Sequence, residues 1–340
     1  LPGNAWPLWI PARFGFSDAT EMFVFLSGMA SAIAFGQVFD RSGLAIGGAR
    51  VALRVWQVYW AHVAVFLVIA AMMVVAGDTP RGESYVQSLN LRHFFNDPGP
   101  LLVSFMTLTY VPNYFDILPM YLVILAMMPI MLAAERVHVA LPFALMAAVW
   151  AMAQARWLDL PAEPWSERTW YFNPFGWQLL FYTGFFLMRR TLPAPAFNVP
   201  LMLVAVAIVV ATVPFAYFRI LNAVPALAEI AASIRPLTAK TQFGILRYIH
   251  FLALAYIAVH AVGVGGHRLS APAFAFVGRV GQQSLAVFIT GMVAARALGI
   301  LLDTTGRGAI ETAAANLLGF AILVAAAYTV GWFKSSPWKD

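Results

Sequence analysis

The 340-residue chain contains no cysteine and few charged residues. Without cysteine, disulfide bonds, thiolate zinc sites and a cysteine nucleophile are excluded. Asp, Glu, Lys and Arg together make up 11% of the residues, which is too little charge to cover the surface of a soluble globule. The six histidines show no metal-ligand spacing with carboxylates, so we predict no metal site.

Hydrophobic residues are abundant instead, at 61% of the chain, and the mean hydropathy is +0.77. The apolar runs are about 20 residues long, which is enough for a helix to cross a bilayer. They lack the alternation over about ten residues that a membrane barrel requires. We therefore predict an all-α, polytopic transmembrane helical bundle that forms a single integral-membrane domain over residues 1–340.

The apolar runs predict about nine spans. These are 17–39, 50–76, 114–133, 138–158, 173–188, 198–218, 248–265, 273–302 and 312–333. Residues 99–110 are apolar but too short to cross, which favours a re-entrant or interfacial segment. Residues 226–234 have the pattern of an amphipathic surface helix. No internal repeat is evident, which disfavours an inverted-repeat transporter.

The chain is basic, with a formal net charge of +6. Its cations lie in short loops between spans, so the positive-inside rule explains them better than nucleic-acid binding does. With residue 1 outside, the inner side holds Arg41, Arg50, Arg54, Arg136, Arg189, Arg190, Arg268, Lys334 and Lys339. This predicts a cytoplasmic C-terminus. The longest outer loops are then 77–113, 156–170 and 218–247.

The first two spans form a predicted helical hairpin with polar groups at both membrane levels. Ser17 is expected to cap the first helix, whose first turn holds Asp18 and Glu21. Arg50 and Arg54 are one helical turn apart at the inner end of the second helix. Their spacing suits a phosphate-bearing ligand, and it equally suits ordinary topology signalling.

Polar residues inside spans are candidates for function because a charge at mid-membrane costs several kcal/mol. Arg279 precedes Gln283 in a glycine-containing segment, where it either joins a hydrogen-bonded helix contact or snorkels to the surface. His62 follows Tyr59 on one helix face and is either a base or a partner in an interhelical hydrogen bond. We expect Arg296 to snorkel, and His250 and His260 to be structural.

Two polar clusters open the third and fifth spans. They contain Asn113, Asp116 and Tyr121 in the first, and Asn173, Trp177 and Gln178 in the second. Interfacial aromatic belts explain the rings but not the acid and the amides. Rings beside acids and amides also describe a carbohydrate platform, because sugar faces stack on rings while hydroxyls need hydrogen-bond partners.

Several motifs occur in order along nearly the whole chain. They are Phe-Gly-Phe-Ser-Asp-Ala-Thr-Glu-Met-Phe-Val-Phe-Leu-Ser-Gly at 14–28, the segment 50–62, and the stretches 116–121, 172–178, 252–256, 278–288 and 336–339. Taken together, they resemble the OpgC-type family of osmoregulated periplasmic glucan succinyltransferases, in the acyltransferase three superfamily. The resemblance implies a multi-pass enzyme of the bacterial inner membrane. It would move a succinyl group from acyl-coenzyme A, a donor substrate rather than a bound cofactor, to a periplasmic glucan hydroxyl.

We assign site residues on this basis. The catalytic candidates are Glu21, Asp18 and His62; the donor-binding ones are Arg50, Arg54, Tyr59, Arg279 and Gln283; the acceptor-binding ones are Asn113, Asp116, Tyr121, Asn173, Trp177 and Gln178. The resemblance also implies one earlier span, which would bring the total to ten. The principal histidine base would lie with it, upstream of Leu1. The alternative function is a transporter or flippase for a sugar- or lipid-linked substrate.

Overall fold

A computed structural model describes residues 6–80, 82–263, 266, 268 and 272–338. Lys339, predicted on the inner side, lies outside these residues. The principal helices are α1 Ala19–Ser31, α2 Gln37–Ala76, α3 Tyr85–Ser88, α4 Arg92–Asn96, α5 Pro98–Met106, α6 Ile117–Ala126, α7 Met128–Val137, α8 Leu141–Gln154, α9 Pro174–Arg189, α10 Val199–Ala216, α11 Phe218–Ala223, α12 Pro225–Ser233, α13 Ile245–Val262, α14 Ala275–Gln282, α15 Ser284–Thr305 and α16 Ala309–Ser335. A π-helical turn, Ala32–Gly36, joins α1 to α2. The described residues form no strand, so the predicted all-α class is confirmed.

Within the described residues, six helical segments are long and apolar enough to cross a membrane. They are Ala19–Ala76, Ile117–Val137, Val199–Ala216, Ile245–Val262, Ser284–Thr305 and Ala309–Ser335. Even the shortest, at 18 residues, spans about 27 Å at the rise of an α-helix. The chain is therefore a multi-pass membrane protein, while the total of about nine spans stays a prediction.

The first of these segments is too long for one crossing, and Gly43 divides it. At φ 81° and ψ 179°, Gly43 has a non-helical backbone within α2, in a conformation that a Cβ would strain. This break falls in the turn predicted between the first two spans. The prediction that Ser17 caps the first helix was wrong by one residue, because Asp18 is the N-cap of α1.

The chain divides into two compact units. The larger unit comprises Leu8–Trp60 and Pro100–Ala261 and is built around α9, against which α1, α6 and α8 lie. Its core is rich in aromatic rings from α9, including the fully buried Trp177, Phe181 and Phe185. This arrangement places the start of α1 beside the start of α9. The single domain over residues 1–340 stays a prediction.

The smaller unit comprises the described residues of 1–7, 61–99 and 262–340. In it α16 packs against α14 and α15. The hydroxyl of Tyr85 donates to Asp303 at 2.8 Å, and Arg307 donates to the other carboxylate oxygen at 2.7 Å. The eighth predicted span is not one helix, because α14 ends before Gln283 and α15 begins after it.

Candidate functional site

Two carboxylates stand at the start of α1. Asp18 accepts a hydrogen bond from the Thr20 amide at 2.8 Å, and Glu21 accepts one from the Asp18 amide at 2.8 Å. This reciprocal pair is a capping box, which satisfies two amides that have no intrahelical acceptor. The local sequence therefore fixes the position of both carboxylates before any tertiary contact forms.

Two cations from residues 240–247 neutralise these carboxylates. Lys240 Nζ lies 2.6 Å from Asp18 Oδ2, while Arg247 Nε donates to Glu21 Oε1 at 2.7 Å. Arg247 Nη2 also lies 2.5 Å from Glu21 Oε1 and 3.5 Å from Asp18 Oδ2. Glu21 is fully buried, so its charge needs this pairing. We call Asp18, Glu21, Lys240 and Arg247 the ionic cluster.

The cluster keeps Asp18 ionised. Burial disfavours its charged form, but hydrogen bonds from Lys240 and the Thr20 amide outweigh burial and lower the pKa to about 2. A carboxylate with so low a pKa is a weak proton acceptor at neutral pH. Asp18 is therefore suited to orienting or stabilising a neighbouring cation rather than to removing a proton.

A buried serine–histidine pair adjoins the cluster. His250 Nδ1 lies 2.7 Å from Ser17 Oγ and 3.2 Å from the Ser17 amide nitrogen. Because an amide N–H only donates, Nδ1 is the acceptor, and the neutral ring carries its proton on Nε2. A Cβ at position 15 would lie 2.3 Å from Nε2, so only Gly15 admits the ring. His250 thus joins α13 to the residue that precedes Asp18.

Asp116 and Tyr171 extend the polar region. Asp116 accepts a hydrogen bond from the Tyr171 amide at 3.2 Å. Burial raises the pKa of Asp116 to about 6, although this hydrogen bond and Arg168 act in the opposite direction. Burial likewise raises the pKa of the Tyr171 hydroxyl, which is within electrostatic range of Arg247, Asp18, Asp116 and Glu21. Asp116 therefore belongs to the same polar neighbourhood as the ionic cluster.

Three of the predicted acceptor-binding residues form hydrogen bonds with the protein backbone. The Asn173 side-chain oxygen caps α9 by accepting from the Phe175 amide at 2.9 Å. The Asn173 backbone amide donates to the Thr241 carbonyl at 3.0 Å. Trp177 Nε1 donates to the Lys240 carbonyl at 2.9 Å. Gln178 Nε2 donates to the Met146 carbonyl at 2.8 Å. Asn173 and Trp177 thus position the segment that carries Lys240.

The other predicted acceptor-binding residues differ in exposure. Asn113 is exposed in the loop before α6. Tyr121 lies within α6, where its hydroxyl interacts with Ser31 and Arg54. Tyr121 thus connects a predicted acceptor position with a predicted donor position.

The predicted donor-binding residues of the larger unit follow one helix. Arg50 is exposed, Arg54 is half-buried with Nη1 3.4 Å from Gln57 Oε1, and Tyr59 donates to the Met106 carbonyl at 2.8 Å. Tyr59 also lines a mostly apolar groove of about 590 Å³ that includes Val55 and Trp56. Arg50 and Arg54 lie on the same helix as this groove but do not line it.

Three predicted site residues belong to the smaller unit. His62 is completely buried. Gln283 accepts a hydrogen bond from Lys334 at 2.7 Å, and the exposed Arg279 lies over the Tyr328 ring at 5.8 Å. In the larger unit, Glu21 and Asp18 are the predicted catalytic residues that lie together.

Sequence reasoning missed Lys240 and Arg247 as partners and treated His250 as structural. One signal was present in the sequence: Arg247 and His250 are three residues apart, which places them on one helix face. Their partners are 226 and 233 residues away, and no local pattern indicates such a pairing.

Comparison with known families identifies the family of the chain. A family model described as OpgC protein matches residues 1–335, essentially the whole chain. No curated protein and no solved structure matches the chain.

Proposed function

Since the chain belongs to the OpgC protein family, we propose that it transfers a succinyl group from succinyl-coenzyme A to a hydroxyl of a periplasmic glucan. Family membership supports a membrane acyltransferase role in glucan modification. The donor, the acceptor and an inner-membrane location are parts of the proposal. The observation that carries it is the buried ionic cluster beside the Ser17–His250 pair.

The proposed reaction is a direct transfer. A glucan hydroxyl oxygen attacks the thioester carbonyl carbon, the C–O bond forms, and the C–S bond breaks. The hydroxyl proton passes to a base, and coenzyme A leaves as a thiolate that takes up a proton. The step needs a proton acceptor and positive charge near the developing oxyanion.

The ionic cluster supplies orientation and charge in this scheme. Lys240 and Arg247 bring two cationic side chains to a partly buried site, where a developing oxyanion is stabilised more strongly than in water. Glu21 and Asp18 hold these cations in place. The base is an imidazole, and its two candidates are His62, from the sequence, and His250, whose unprotonated Nδ1 would receive the hydroxyl proton through Ser17 Oγ.

The proposed function predicts that purified protein releases coenzyme A thiol from succinyl-coenzyme A only when a glucan is present. Ester formation should add a carboxylate to the glucan, so mass spectrometry of the product should show one succinyl group per thiol released. In His62→Gln and His250→Gln, loss of the true base should lower the rate at saturating substrates while the melting temperature stays near that of the native chain, whereas loss of a structural histidine should lower the melting temperature. Transmembrane glucan flux without thiol release would favour the transporter alternative.

The donor assignment predicts a separate result for Arg54. Replacing Arg54 by alanine removes one guanidinium from the proposed phosphate site and should weaken coenzyme A binding by about tenfold, since charge-assisted hydrogen bonds contribute about 1.5–3 kcal/mol. Calorimetric titration with coenzyme A measures this change. Arg219→Ala is the matched control, because Arg219 is an exposed arginine on α11 outside the proposed site. An Arg54→Ala affinity equal to that of the control would remove the donor role.

A further inference from the structure

The larger unit contains a cavity of about 830 Å³ between the end of α8 and residues 232–245. Its lining includes Trp150, Gln154, Arg156, Arg235, Gln242 and Ile245. The volume falls within the range of about 300–1,000 Å³ that is typical of ligand sites, and a largely apolar wall with a few polar groups is also typical. Arg156 and the lining residues from 232 to 245 belong to segments that the charge pattern predicts on the outer side.

The charged groups of the cavity wall are cationic. Arg156 and Arg235 both line it, and none of the described lining residues is acidic. Arg156 has an acidic neighbour in Asp159, but at 3.9 Å and with the Arg156 side chain 70% exposed this pair is weak. Guanidinium groups bind carboxylates through paired hydrogen bonds, so the cavity favours an anionic ligand.

The amide of Gln242 adds an independent indication of a ligand. Gln242 is 7% exposed, and its Nε2 has no hydrogen-bond partner among the described residues. A buried donor without an acceptor costs about 1–3 kcal/mol, which a ligand oxygen would recover. The neighbouring Gln154 and Trp150 donate to the Gln242 and Phe243 carbonyls, at 2.6 Å and 2.9 Å, so the wall itself is held firmly.

The cavity shares one segment with the ionic cluster. Ala239, Gln242 and Ile245 line the cavity, while Lys240 and Arg247 of the same segment pair with Asp18 and Glu21. Residues of one short segment therefore line the cavity while their sequence neighbours hold the cluster. This adjacency favours a part of the polymeric acceptor over a membrane lipid, because a polymer must hold its non-reacting units beside the reacting one.

We propose that this cavity binds a carboxylate-bearing saccharide, namely a glucan unit that already carries a succinyl half-ester. The inference rests on the proposed function for the identity of the polymer. Arg156 and Arg235 bind the carboxylate, Gln242 donates to a sugar oxygen, and the Trp150 ring contacts a sugar face. Glucan that is already acylated is consequently retained for further acylation.

Binding to the full chain in phosphatidylcholine nanodiscs tests the proposal. The probes are a linear gluco-tetraose and its mono-succinyl half-ester, titrated calorimetrically without acyl-coenzyme A. We expect the half-ester to bind about tenfold more tightly, a difference of about 1.4 kcal/mol. Arg235→Gln should remove this preference and leave the affinity for the neutral tetraose within about twofold. Arg219→Gln, the exposed control on α11, should preserve it.

Three results would overturn the assignment. They are equal affinity for the two probes, the same loss in Arg219→Gln as in Arg235→Gln, and displacement of the half-ester when phosphatidylglycerol replaces phosphatidylcholine. The last would identify the cavity as a lipid headgroup site. Because the titration needs no turnover, selective binding without thiol release would reject the acyltransferase alone, and thiol release without selective binding would reject the cavity assignment alone.

Discussion

Replacing Arg247 by methionine is expected to abolish acyl transfer and to lower the stability of the larger unit by about 3–5 kcal/mol. The substitution leaves Glu21 fully buried with neither of its Arg247 contacts, at 2.7 Å and 2.5 Å. A buried charge that loses its partner retains the whole desolvation cost. The melting temperature should fall by at least about 6 °C, measured by differential scanning fluorimetry in detergent, and thiol release should disappear.

A double variant separates stability from chemistry. Arg247→Met with Glu21→Leu removes both charges, and replacing a buried ion pair by apolar residues is often neutral or stabilising. We expect the melting temperature to return close to that of the native chain while thiol release stays absent. Arg219→Met, on the exposed surface, should change neither quantity. If the Arg247→Met protein is as stable and as active as the native chain, the ion pair contributes neither to stability nor to acyl transfer.

The helical class and most helix positions were predictable because they depend on local sequence. Apolar runs and turn residues act over short distances, so the break at Gly43 and the surface helix Pro225–Ser233 both fall where the pattern places them. The acidic first turn of α1 was equally visible. Its N-cap was placed one residue early, because serine and aspartate are nearly equivalent caps and the contacts of their side chains decide between them.

The site was less predictable because its chemistry is distributed over distant segments. Lys240 and Asp18 are 222 residues apart. In its own sequence context, Lys240 is typical of a loop and Asp18 is typical of a helix cap. The buried amides show the same limitation. Sequence identifies Asn173 and Gln178 as unusual, but a buried amide needs a partner, and sequence does not reveal whether that partner is a ligand or the Leu158 and Met146 carbonyls.

A second large effect is expected where α1 and α9 meet, because glycines on both helices allow their backbones to touch. A Cβ at Gly28 would lie 2.0 Å from the Phe181 carbonyl oxygen, and one at Gly184 would lie 2.3 Å from the Phe25 carbonyl oxygen. Small residues permit this close approach in membrane helices. Gly28→Ala must separate two backbones that cannot yield as a side chain would, so we expect a loss of about 3 kcal/mol or more.

The same substitution should also reduce thiol release, since α1 carries Asp18 and Glu21 while α9 begins at the Asn173 cap that holds the Lys240 segment. Separating the helices therefore moves the carboxylates away from their cations. Gly48→Ala is the matched control: its Cβ would meet only Pro129 Cγ, at 3.9 Å, and alanine favours a helix by about 1 kcal/mol over glycine. Melting temperatures and thiol release should be measured for Gly28→Ala and Gly48→Ala. Equal values in the two variants would show that the α1–α9 contact tolerates a methyl group and does not set the site geometry.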